Sequence, residues 1–211
     1  MFKPGYSFAD YFLLGVTFLP LLPALLILVR RLYGQEPFNF LAVICLLCFF
    51  QGFIGGLSPV GAGEPYPAFR IISLVLFLFF FLTFRSNLGG RFRYALNLFM
   101  TALVSVICTY WSLKGWGDAS LVPETVLDGF LVVIIGVSLP TLIRNAELRI
   151  FRIPLFWIEG GSLFYLLLIL LLDGIGGGHL TGGTSDPEKK LFLGLAGLLR
   201  YLSYIIAVFS L

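Results

Sequence analysis

Between Phe8 and Val29 the chain runs 22 residues with a single charged side chain, Asp10. About 20 residues of helix cross the roughly 30 Å hydrocarbon core of a bilayer. Apolar stretches of similar length recur along the chain, parted by short segments rich in glycine, proline and charge. The pattern predicts an all-α membrane protein, a bundle of about seven transmembrane helices over residues 8–29, 40–57, 67–84, 94–112, 122–143, 154–172 and 191–211, in a single integral-membrane domain over 1–211. Composition points the same way. The chain is 59% hydrophobic and 12% charged, whereas a soluble domain carries about 25% charged residues. A water-soluble fold of this length cannot hide so much apolar surface.

Charge placement sets the expected orientation. One set of loops carries Arg30, Arg31, Arg85, Arg91, Arg93, Arg144, Arg149 and Arg152. The opposite set carries Lys3, Arg70, Lys114, Lys189 and Lys190, with most of the acidic residues. The positive-inside rule then puts the N-terminus outside and the C-terminus in the cytoplasm of a bacterial inner membrane. The first apolar run lacks a small-residue cleavage pattern and reads as a retained helix. A net charge of +3, dispersed over short loops, gives no footprint for nucleic acid. The expected partners are the bilayer and a protein that meets the arginine-rich inner loops, above all 144–152.

An ionisable group inside a bilayer is costly, so each is a site candidate. Three qualify: Asp128 in helix five, Glu159 in helix six and Arg200 in helix seven. Arg200 shares a helical face with Ala196, Ser203 and Ala207, and small residues mark packing faces, so its guanidinium is expected inside the bundle. By helical rise Asp128 lies about one turn from it in depth and Glu159 roughly 8 Å the other way, each within reach. Such a pair is either a ligand or proton site or an ion pair that fixes helix register. Helix four carries a second pattern: Arg93, Asn97, Thr101, Ser105, Thr109 and Ser112 recur at three- and four-residue spacing. This stripe is either the wall of a hydrated pathway or a row of hydroxyls bonded to their own or a neighbouring helix. Gln51 in helix two is a further candidate for the polar interior.

Other signals reduce to simpler chemistry. Cys45 and Cys48 stand in an apolar run with Gly52 and Gly55 at helical spacing, which reads as a small packing face. His179 is the only histidine and sits in a glycine-rich loop, so neither a zinc site nor a bis-histidine haem is expected. No cofactor or metal is expected. No serine has a nucleophile-elbow context, and helix seven has no core lysine for a Schiff base, so the sequence does not point to an enzyme.

Helix six opens with Arg152, Ile153, Pro154, Leu155, Phe156, Trp157, Ile158, Glu159, Gly160, Gly161, Ser162, Leu163, Phe164 and Tyr165. This element resembles a family of small polytopic membrane proteins of Bacteroidota, often encoded beside sensor histidine kinases. The resemblance covers about a dozen residues and implies a signalling partner. The chain has Glu159 where the resemblance implies an amide. Three functions follow as expectations: a sensory or regulatory module acting through a separate protein, a small-solute transporter with three helices on either side of helix four, or a structural subunit of a larger membrane complex. Pro20, Pro23 and Pro140 break helices in loosely corresponding places, as transporter repeats do.

Overall fold

The computed structural model describes residues 7–57, 67–115, 122–145, 150–176 and 187–211. Among these there is no strand. The α-helices are α1 (Phe8–Phe18), α2 (Leu21–Val29), α3 (Phe38–Leu57), α4 (Pro67–Arg85), α5 (Gly90–Lys114), α6 (Val122–Asn145), α7 (Pro154–Gly176) and α8 (Pro187–Phe209). Six stretches are long and apolar enough to cross a membrane: Phe8–Val29, Ala68–Arg85, Gly90–Lys114, Pro123–Asn145, Pro154–Leu172 and Pro187–Phe209. The seventh apolar stretch, Phe38–Ile54 in α3, is shorter.

Local sequence explains where the helices begin and break. Ser7 and Asp10 form a reciprocal capping box at the start of α1, the Ser7 amide donating to Asp10 Oδ2 at 2.8 Å. The first predicted helix is two helices in one span. Pro20 has no amide hydrogen, and its ring clashes with the carbonyl four residues back, so the ladder is interrupted at Leu19–Pro20 and restarts at Leu21. Pro154 and Pro187 occupy the first positions of α7 and α8, where a missing amide hydrogen costs nothing. Pro140 stays inside α6.

The helices close into a ring. The α1/α2 span packs on α3, α3 on α4, α4 on α6, α6 on α7 and α7 on α8, which returns to α1 and α2. Close approach depends on small residues. A Cβ at Gly161 would lie 1.8 Å from Ser203 Oγ, one at Gly194 2.6 Å from the Phe12 ring, and one at Gly52 2.6 Å from Thr17 Cγ2. These positions bring α7 to α8, α8 to α1 and α3 to α1 at backbone range. α5 lies outside the ring against α4 and α6. Ile107 and Trp111 are its buried residues, and Phe99 meets Phe130 of α6 at 5.2 Å.

Polarity is inverted relative to a water-soluble fold. Leu22, Leu25, Leu28, Leu98, Val106, Val133, Leu171, Leu199 and Ile206 face outward, while Arg70, Thr83, Ser138, Glu159, Ser162 and Arg200 are buried. Apolar side chains have no reason to turn inward when the surroundings are hydrocarbon, and polar ones have every reason to. The protein is a multi-pass helical integral membrane protein in contact with lipid.

Candidate functional site

Polar side chains gather at three levels within the bundle. The middle level centres on Arg200 of α8, which is 6% exposed. Its Nε donates to Tyr204 Oη at 2.8 Å and its Nη2 to Cys48 Sγ at 3.4 Å. Its Cζ lies 4.6 Å from the Tyr165 ring centre, 4.9 Å from that of Phe80 and 5.5 Å from those of Tyr201 and Tyr204. A buried guanidinium needs hydrogen bonds and electron-rich faces in place of water, and here α3, α4, α7 and α8 supply both. Tyr204 Oη also meets Ser162 Oγ of α7 at 2.7 Å. The Tyr165 ring packs on Arg200 and lies within electrostatic range of Asp128, which is half-buried on α6.

The second level surrounds Glu159 of α7, whose side chain is fully buried. Ser138 Oγ of α6 lies 2.7 Å from Oε1, and Asn87 Nδ2, in the turn after α4, lies 3.3 Å from the same oxygen. Ser138 Oγ is also 3.2 Å from the Phe84 carbonyl. The third level pairs Arg70 of α4 with Glu124 of α6 at 3.6 Å, with Arg70 Cζ 5.4 Å from the Trp111 ring centre. Arg70 is fully enclosed.

The expected residues are thus distributed among different settings. Arg200 points into the bundle. Glu159 does not pair with it, because its partners are Ser138 and Asn87. Helical rise fixes the depth of both residues but not which way α7 is rotated. Gln51 Nε2 donates to Ser73 Oγ at 2.8 Å and ties α3 to α4. Asn97 Oδ1 accepts from Arg85 at 2.6 Å. The rest of the α5 stripe faces away from the ring. Thr101, Ser105 and Thr109 are exposed, and each hydroxyl donates to the carbonyl four residues earlier at 2.8–2.9 Å. That bond removes most of the cost of a hydroxyl in lipid, so the stripe needs no inward orientation. His179 and most of its glycine-rich loop lie outside the described residues. Among the described residues no group of three or more His, Cys, Asp or Glu side chains is placed to hold a metal.

Several members of the polar core escaped the sequence reading. Arg70 lies in the first turn of its predicted helix, where the sequence does not separate a buried arginine from a loop charge. Tyr204 is four residues beyond Arg200, a visible helical spacing. Ser138, Ser162 and Asn87 carry no local signal, since only the packing of α4, α6 and α7 gives them partners. On the outer surface, Phe156, Trp157, Gly160, Gly161, Phe164, Leu199 and Ser203 line an open apolar groove of about 250 Å³ between α7 and α8. Comparison with protein-family models, curated proteins and solved structures returns no match to this chain.

Proposed function

We propose that this protein is a sensory or regulatory module of a bacterial inner membrane, with seven crossings, the N-terminus outside, and an output carried by a separate protein. One observation carries the reading: the Arg200 guanidinium touches side chains of α3, α4 and α7 as well as its own helix. A ligand that competes for any of these contacts shifts four helices at once, because packed bundles rearrange between discrete states. Arg30, Arg31, Arg91, Arg93, Arg144 and Arg152 are exposed and offer a partner a basic surface at the helix ends. The resemblance of the α7 opening to the Bacteroidota family encoded beside sensor kinases supports the same reading.

The test is copurification from native membranes in mild detergent. The expected result is a kinase-type partner whose phosphorylation activity differs between wild type and Arg200→Gln. A chain that purifies alone and leaves such a kinase unaffected overturns the proposal.

A transport reading draws on the ring itself. The α1/α2 span, α3 and α4 form one triplet, α6, α7 and α8 the other, and α5 lies outside as the connection. Cys48 and Phe80 from the first triplet meet Tyr165 and Arg200 from the second. Transporter sites favour such repeat interfaces. Superposition of the two triplets, and Arg200-dependent uptake of labelled organic anions into proteoliposomes, would favour transport.

A further inference from the structure

Glu159 lies where α4, α6 and α7 meet, and its hydrogen-bond geometry is incomplete for a carboxylate. Oε1 receives Ser138 and Asn87, while Oε2 is buried with no hydrogen-bond partner. An ionised carboxylate spreads its charge over both oxygens, and each needs donors when water is absent. Ser138 meets the opposite difficulty. Its single hydroxyl proton faces two acceptors, Glu159 Oε1 at 2.7 Å and the Phe84 carbonyl at 3.2 Å. Phe84 is in the last turn of α4, where carbonyls lack donors from their own helix. With Glu159 ionised, the Ser138 proton serves one acceptor only: either the Phe84 carbonyl loses it, or Oε1 does and keeps the longer Asn87 contact alone.

A proton on Oε1 resolves the conflict. Glu159 then donates to Ser138 Oγ, and Ser138 donates to the Phe84 carbonyl, in one directed chain. We propose that Glu159 is a reversible proton-binding site of the bundle, with Ser138 as a two-way relay that points to Glu159 when the site is empty and to Phe84 when it is filled. The only bond formed is Oε1–H, with the proton drawn from water; release reverses it.

The surrounding groups leave the site to this relay. From α6 it is faced by Ser138 and from the turn after α4 by Asn87. Arg85, at the end of α4, turns to Asn97 on α5. On α8, Arg200 and Tyr204 engage each other, and Tyr204 engages Ser162, three residues along α7 from Glu159. Pro140 lies two residues beyond Ser138 and removes a helical hydrogen bond there, so α6 is weakened beside the relay. Such a proton site serves a signalling or a transporting protein alike.

Infrared difference spectroscopy of the full chain in lipid nanodiscs tests it. The expected result at neutral pH is a protonated-carboxyl stretching band that is lost in Glu159→Gln, is displaced in Ser138→Ala, and disappears reversibly as the pH is raised. Equal band intensity in wild type and Glu159→Gln overturns the proposal. So does a band that vanishes when sodium chloride replaces choline chloride at constant pH, which would make the junction a cation site. Should Glu159→Gln fail to fold, the band position in Ser138→Ala decides: an undisplaced band refutes the relay.

Discussion

Gly161→Ala tests the contact that positions the polar core. A Cβ at 161 would lie 1.8 Å from Ser203 Oγ, 2.9 Å from Ser203 Cβ and 3.4 Å from the Arg200 carbonyl oxygen. Comfortable carbon contacts begin at about 3.5 Å. The hydroxyl can rotate away only by giving up its 2.7 Å bond to the Arg200 carbonyl. The Cβ of Ser203 cannot rotate away at all, so α7 and α8 must part by several tenths of an ångström. Overpacking of this kind costs about 1–3 kcal/mol. The assay is reversible unfolding in mixed micelles, with Gly161→Ala, Ser203→Gly and the double variant forming a cycle. Ser203→Gly alone should cost about 0.5 kcal/mol, from the lower helix propensity of glycine. It also removes both close atoms, so the double variant should recover most of the Gly161→Ala loss, with a coupling of about 1–2 kcal/mol. Strict additivity, or a Gly161→Ala protein as stable as wild type, would refute the close-packed interface.

Arg200→Lys keeps the charge but loses the planar donors aimed at Tyr204 and Cys48, and unfolding in micelles should show a loss of about 1.5–3 kcal/mol. Ser162→Ala removes the 2.7 Å contact to Tyr204 and should cost about 0.5–1.5 kcal/mol in the same assay. On α5, Ser105→Ala and Thr109→Val should change stability by less than about 0.5 kcal/mol, because each hydroxyl serves only its own helix on an outward face. A large effect there would mean that another chain covers that face. Asp10→Asn should cost under about 1 kcal/mol through the partly exposed 2.6 Å pair with Lys190, and the loss should shrink as salt is added.

Helix existence and placement were legible because lipid makes a simple demand. Every apolar stretch of sufficient length must hide its backbone in a helix, and prolines and glycines mark the ends. The inward orientation of Arg200 was legible too, since Ala196, Ser203 and Ala207 share its face. The stripe on α5 shows where this reasoning stops. Polar residues at helical spacing suggest an inward face, but a hydroxyl bonded to its own backbone carries no such obligation.

The sequence by itself determined that the chain lives in lipid, where its helices fall, and that a few ionisable groups lie among them. These properties depend on composition and on spacing along one helix. Tertiary structure alone decided which groups meet: that Arg200 is held by tyrosines, Cys48 and Phe80, that Arg70 joins Glu124, and that Glu159 and the Phe84 carbonyl both lie within reach of the Ser138 hydroxyl. Partnership in a bundle depends on how each helix is rotated and which helix stands beside it. Those choices are made by close approaches such as Gly161 to Ser203, where the absence of one side chain on one helix matters only because of what stands opposite on another.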